Sequence, residues 1–313
     1  MPEAPPPAAA EFDAEEVITS APPVSSADTR RAPQMAPPPE VVDRPALSAL
    51  VGVVKADSPA TASAVEPPVD LSGVEALSDL PDDARTELAA AADVKQLSRD
   101  EEVSGFALAL VVEGAVDLAA TIVDASAQRL EAGAILRARG TIGAAAPLRL
   151  VCASDQARVA IWDEEAAAGA LRGCPWVEDD LRAAGDRFQA LVGVTMGPLG
   201  ERLDPSLRSS VTDRLRLLVL SEHEVFATIG QPIPGLLVVG AGELELVDAD
   251  GTPSGSSLRA GDFLFPNEVL RAAPAPSSVR ASRGGALVML AERGVAQELL
   301  VTCPPLLEIF AGA

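Results

Sequence analysis

The stretch Gly235–Leu264, GLLVVGAGELELVDADGTPSGSSLRAGDFL, decides how the rest of the chain is read. Its first part is a continuous apolar run. From Glu243 to Leu246 polar and apolar residues then alternate, the period of a strand with one buried face. Gly242, just before the alternation, stands where a strand breaks or bends. DADGTPSG has the residues of a hairpin turn, and LRAGDFL turns at Gly261 into a further strand. The stretch therefore predicts short antiparallel strands punctuated by glycine.

The same pattern occurs 128 positions earlier. Gly114 falls on Gly242 and Gly133 on Gly261. Val111 matches Val239 and Leu118 matches Leu246. Leu130, Ala132 and Leu136 match Leu258, Ala260 and Leu264. Val151, Ala153 and Ser154 match Val279, Ala281 and Ser282, so the register runs without a gap from Val111 to Ser154. Each copy opens with a helix, LPDDARTELAAAADV or LDPSLRSSVTDRLRLL, and Asp204–Pro205 forms an N-cap and N1 pair. A short strand around Val103 or Val225 follows. Strands leading into a closing helix end each copy. Between the copies, PWVEDDLRAAGDRFQALVGVTM (175–196) reads as one linker helix, with Val177, Leu181, Phe188, Leu191 and Val192 on its apolar side, broken afterwards by GPLGER. The fold class expected is mainly β with flanking helices: two β-roll, jelly-roll-like domains joined by a helix.

Composition limits the chemistry. The chain has 313 residues and a formal charge of −22, from 46 acidic and 24 basic residues. A field of that sign opposes nucleic-acid polymers and anionic membrane surfaces. No apolar run approaches the length of a bilayer span, and the N-terminus lacks the basic and apolar regions of a secretory signal. A cytoplasmic location is the expectation. Cys152, Cys174 and Cys303 have neither disulfide-framework nor zinc spacing and read as small buried hydrophobes. The single histidine, His223, lies between two glutamates in SEHEVF as in a solvated turn, and there is no tyrosine. A metal centre needs more imidazoles than this, so no metal and no cofactor are expected. An enzyme would have to use a carboxylate pair such as Asp262 with Glu268, and Asp262 follows a turn glycine, where a carboxylate commonly bonds its own backbone. The chain is read as a non-enzyme.

Residues 1–70 hold 14 of the 27 prolines, with 11 acidic and 4 basic residues. Such a segment buries too little apolar surface to offset its ordering entropy, so it is expected to be a disordered acidic Pro/Ala-rich tail. Within it, RPALSALVGVVKAD (44–57) places Leu47, Leu50, Val51 and Val54 on one helical face. This is either a docking segment for a partner or for the body, or a short apolar patch in a linker. The expected division is 1–70 tail, 71–175 first domain, 176–202 linker helix and loop, and 203–313 second domain.

In this order (helix, SEHEVF turn, GQPIPGLLVVGAGELEL, hairpin, LRAGDFL, a proline-containing segment, SVRA, strand and helix) the second copy resembles the cyclic-nucleotide-binding domain. The first copy lacks a counterpart of GQPIPG and is recognised through the repeat. The resemblance implies a phosphate-binding cassette after the Gly-Asp-Phe turn. There a Gly-Glu pair holds the ribose, and a Pro-Arg pair with helix-start N–H groups holds the cyclic phosphate. An anion taken out of water needs such a compensating charge. Aligned without a gap, the Gly-Glu pair falls on Phe265 and Pro266 and the Pro-Arg pair on Pro274 and Ala275, so the charges are missing. A packed, ligand-free cap is expected. The alternative is a cassette slipped by two residues, with Glu268 for the ribose and Arg271 or Arg280 for the phosphate. In the first copy, RARGTIGAAAPL supplies Arg137 and Arg139, and GTIG is an anion-binding type of turn.

The function implied is a non-catalytic regulatory or scaffolding protein acting through protein–protein contacts, with other proteins met by the tail or the barrel surfaces. The alternative is a sensor whose partner is a cyclic mono- or dinucleotide.

Overall fold

The computed structural model describes residues 69–311, which belong to one compact unit. The acidic tail up to residue 68, including Leu47, Leu50, Val51 and Val54, lies outside the described residues. The tail's last positions are structured: Val69 is buried, and Leu71, two residues on, is buried too.

A 3-10 turn, Glu75–Leu77, precedes α1 (Asp82–Ala90). Eight strands follow: β1 (Asp93–Ser98), β2 (Glu102–Ser104), β3 (Leu108–Glu113), β4 (Ala115–Ala120), β5 (Ser126–Glu131), β6 (Ile135–Arg137), β7 (Leu148–Cys152) and β8 (Gln156–Trp162). They form two antiparallel four-stranded sheets, in the orders β1-β8-β3-β6 and β2-β7-β4-β5. Four helices come next: α2 (Glu164–Leu171), α3 (Pro175–Val194), α4 (Pro198–Arg202) and α5 (Pro205–Thr212). The second roll contains β9 (Arg216–Leu220), β10 (Val225–Ala227), β11 (Gly235–Val247), β12 (Pro253–Leu258) and β13 (Phe263–Leu264). It is completed by α6 (Pro266–Arg271), β14 (Ser278–Glu292), α7 (Arg293–Thr302) and α8 (Pro305–Ala311). Here β11 and β14 each run through what the first roll divides into two strands, and the sheet order is β10-β14-β11-β12, with β9 on β14 and β13 on β11.

The fold is thus mainly β with flanking helices, and the strand order repeats. The glycines that carry the repeat have equivalent backbones: φ is 78° at Gly114 and 76° at Gly242. L-residues avoid this region, so glycine lets each strand change direction there without a Cβ penalty. The gapless register, however, holds only as far as β6. Leu110 pairs with Ile135 and Val238 with Phe263, an offset of 128 on both sides. Val116 pairs with Cys152, whereas Leu244 pairs with Ala281. Leu150 and Val279 are therefore equivalent, not Val151 and Val279. The second copy carries one extra residue between β13 and β14, inside the cassette segment. Burial agrees, because Leu150 and Cys152 face inward as Val279 and Ala281 do.

Two helix boundaries follow the sequence signals closely. The Asp204 carboxylate accepts from the N–H groups of Ser206 and Leu207 at 2.9 and 3.0 Å, starting α5 at Pro205. The linker helix α3 spans 20 residues. GPLGER does not simply break it, since Pro198–Arg202 makes the further short helix α4. Among the described residues no single helix is long and apolar enough to cross a membrane. The cysteines are all buried and free.

One apolar core runs through both rolls. It joins Val116, Leu118, Leu150 and Val159 of the first to Leu236, Val238, Leu287 and Met289 of the second, with Ala190, Val192 and Val194 of α3 between. Phe310 of α8 is fully buried there, edge-on to Phe263 with ring centroids 5.0 Å apart. The helix comes close to the second roll because both contact positions, Gly193 and Gly240, lack side chains.

Candidate functional site

The second copy's cassette segment leaves β13 through Phe265, whose φ of 45° is left-handed, and enters α6 at Pro266. The helix is six residues long and is closed by Ala272 at φ 52°. Beyond it, residues 274–278 pair with the loop between β10 and β11. The Gly230 N–H donates to the Ala275 carbonyl at 2.8 Å, and the Ala275 N–H donates to the Gln231 carbonyl at 2.9 Å. Pro232 and Pro274 form a bridge, and the Ile229 N–H donates to Ser278 Oγ at 3.0 Å. Ile233 turns inward from this loop and is 1% exposed. It packs with Leu264, Ala275 and Val279, and Phe265 and Val269 lie partly buried on the same cluster.

The sequence-predicted residues of this roll do not converge. Arg280 pairs across strands with Glu245 at 3.0 Å. Arg271 is exposed on α6, and Glu268 is half-buried with no side-chain partner among the described residues. Asp262 Oδ2 accepts from the Arg259 N–H at 2.8 Å, so its carboxylate closes its own turn. His223 is exposed, with Nε2 3.3 Å from Glu222.

In the first copy the segment between β6 and β7, residues 138–147, contains no helix and is called the strap below. Arg137, at the end of β6, has a fully buried side chain. Its Nη1 donates to the Ala107 carbonyl at 2.8 Å, and its Nη2 donates to Glu164 Oε1 at 2.7 Å. Nε and Nη2 both donate to Glu178 Oε1, at 3.2 and 3.1 Å. Glu178 also accepts from Arg182 at 2.6 Å. Burial works to lower the guanidinium's pKa, but the bonds and charges of the two carboxylates outweigh it, and the pKa is raised. The hydrogen bond from Arg137 holds Glu164 below its ordinary value, against the effect of burial.

That shift gives a signed pH dependence. The stability supplied by Glu164 is complete above the ordinary carboxylate value of 4.5 and is lost as pH falls through the lowered folded value. Below pH 4.5 the natural chain is therefore expected to lose stability more steeply than a Glu164→Gln variant, read as the urea midpoint against pH.

Two more residues of α3 hold the strap. The buried carboxylate of Asp186 accepts from the Thr141 N–H at 2.6 Å and from Thr141 Oγ1 at 2.5 Å. Gln189 Nε2 donates to the Ala138 carbonyl, which fixes the orientation of the amide; its Oε1 is buried with no donor among the described residues. Arg139 differs from Arg137. It is exposed, has no ion-pair partner among the described residues, and borders a cleft of about 520 Å³ with Phe106, Ile142, Glu164 and Gln189. Arg137 and Arg139 are thus close in sequence but divided in role, one spent inside the fold and one open to the cleft.

The sequence reading took α3 for its apolar side alone and missed Glu178, Asp186 and Gln189 on it, as it missed Glu164 at the start of α2. A signal was present. Positions 178, 186 and 189 fall on the helix face that Leu181 and Gly185 bury, so polar residues interrupt an apolar stripe where each must find a partner.

No protein-family model matches the chain, and no curated protein matches it. Solved structures do. A mutant regulatory subunit of a cAMP-independent protein kinase A from Trypanosoma brucei, bound to cAMP, is 16% identical over 76% of this chain and 86% of its own, with a TM-score of 0.34. The regulatory domain of Toxoplasma gondii protein kinase A with cAMP is 15% identical over 76% and 92%, with a TM-score of 0.34. The catabolite activator protein of Thermus thermophilus is 18% identical over 37% of this chain and 55% of its own, also with a TM-score of 0.34.

Proposed function

We propose that the chain is a non-catalytic regulatory or scaffolding body that acts through protein–protein contacts. Its two cyclic-nucleotide-binding-like domains, about 71–175 and 203–313 around the linker helix, have their ligand positions filled by the chain itself. The observation that carries this reading is the closure of the second roll: Ile233 is buried beneath the Pro232–Pro274 bridge, and the Ala275 backbone is engaged by Gly230 and Gln231. The first roll supports it differently. Arg137, the cation nearest the strand end, already has two internal anions, Glu164 and Glu178. A ligand phosphate would have to break that buried pair, which is costly. A cytoplasmic setting and recognition through the acidic tail or the roll surfaces belong to the same reading.

The test is affinity capture on the full-length chain with and without millimolar cyclic AMP or cyclic GMP. The same partners are expected in all lanes. A partner gained or released on adding nucleotide contradicts ligand independence.

A second reading has an observation of its own. The cleft beside Arg139 is open, within the ~300–1,000 Å³ range of small-molecule sites, and is bordered by a cation without a partner among the described residues. A cyclic mono- or dinucleotide held there would make the first roll a sensor. Its affinity is expected to fall at least tenfold in Arg139→Ala, because a lost charged hydrogen bond costs ~1.5–3 kcal/mol. Equal affinity in that variant removes this reading.

A further inference from the structure

The strap does more than close the first roll. Its Ala144 carbonyl accepts from the Gly242 N–H of the second roll at 3.0 Å. Two residues earlier, Ile142 is 8% exposed in the core shared by both rolls, and its Cδ1 lies 3.0 Å from where a Cβ on Gly285 would be. On its other side the strap is tied to α3 through Thr141 and Asp186. Between these points, the N–H groups from Ile142 to Ala146 find no acceptor among the described residues. The strap has little internal hydrogen bonding, so its shape depends on where it is anchored: at its ends, where the Ala138 N–H donates to the Ala107 carbonyl and the Pro147 carbonyl accepts from the Thr121 N–H, and between them at Thr141, Ile142 and Ala144. Gly242 is also a bulge where the β11 register against β14 shifts, so its N–H is free to look outside its own sheet.

We propose that the strap is a conformational latch: the Thr141–Asp186 bonds on α3 hold residues 140–147 in the one shape that lets Ala144 and Ile142 engage Gly242 and Gly285 of the second roll. Releasing Thr141 from α3 frees residues 142–146, whose N–H groups make no hydrogen bonds among the described residues, and the contact with the second roll opens with it. Anything that moves the strap, including an occupant of the cleft lined by Ile142 and Arg139, thereby acts on the second roll. The latch rests on the strap's own bonds and stands even if nothing binds the cleft. An aspartate facing two donors of one threonine is the natural control point, because its buried carboxylate is the acceptor that ties the exposed Thr141 to α3.

Hydrogen exchange of the full-length chain, resolved to single amides, tests this. In Asp186→Ala, which removes both bonds to Thr141, the Gly242 amide is expected to exchange at least about tenfold faster, the effect of losing a charged hydrogen bond on a local opening. The Val159 amide, in β8 and away from the strap, should keep its natural rate. Ile142→Ala, which leaves Asp186 intact, is expected to speed Gly242 as well while Thr141 stays protected. A Gly242 amide that keeps its natural rate in both variants overturns the latch. So does a uniform acceleration across both rolls, because that reports global destabilisation rather than a local release.

Discussion

Arg137→Ala is expected to destabilise the folded chain by about 3 kcal/mol, the lower end of the range for removing one partner of a buried ion pair. The lower end applies because Glu164 is half exposed and regains water, whereas Glu178, 19% exposed, is left with an oxygen that had accepted two bonds from Arg137. Glu178 keeps only Arg182 as a counter-charge. The loss is read as a lower urea midpoint at neutral pH with an unchanged slope. Arg137→Lys should recover only part of it, since one ammonium cannot reach Ala107, Glu164 and Glu178 together in the fork geometry of a guanidinium. An Arg137→Ala chain as stable as the natural one would show that the two carboxylates do not serve as the arginine's internal anions.

Gly193→Ala should be nearly as damaging. A Cβ there meets the backbone of Gly240, which has no side chain to turn away, so α3 and β11 must separate. Overpacking of this kind costs about 1–3 kcal/mol or more. The gain from replacing a helical glycine by alanine, about 1 kcal/mol, works in the opposite direction and does not offset it. Gly169→Ala in α2 is the internal contrast, because a Cβ there meets nothing within 4 Å. It should stabilise the chain by roughly 0.5–1 kcal/mol. Because one core joins the two rolls, both variants should unfold in a single transition that different probes report together. Two separated transitions in Gly193→Ala would mean that the rolls are stable apart.

What the sequence made legible was local or periodic. The hairpin glycines, the alternation from Glu243 to Leu246, the Asp204 cap and the length of α3 are written in neighbouring residues, and all appear in the fold. The one-residue slip after β6 was hidden because Val151 and Ser154 have look-alikes at Val279 and Ser282; only strand pairing shows that the side facing the core is carried by Leu150 and Val279. The site was less legible for a related reason. The fate of Arg137 is decided by carboxylates 27 and 41 positions away, on two helices whose placement no local pattern states. The same position in the second copy is Phe265, so one sequence position carries a buried ion pair in one roll and a partly buried aromatic side chain in the other. The apolar character of Phe265 and Ala275 was legible from sequence, and both lie on the apolar cluster of the second roll. The burial of Ile233 from the GQPIPG loop was not legible, because that loop and residues 274–278 meet only through contacts distant in sequence.

The central claim is that the chain itself fills the ligand positions of the second roll and occupies Arg137 in the first. Calorimetric titration of the full-length Arg139→Ala chain with cyclic AMP, cyclic GMP and cyclic di-GMP, up to about a millimolar free ligand, tests it most directly. The account predicts a flat trace for all three. Saturable one-to-one binding that survives this substitution would contradict it, because that ligand would have to displace Ile233 from the second roll or the carboxylates from Arg137.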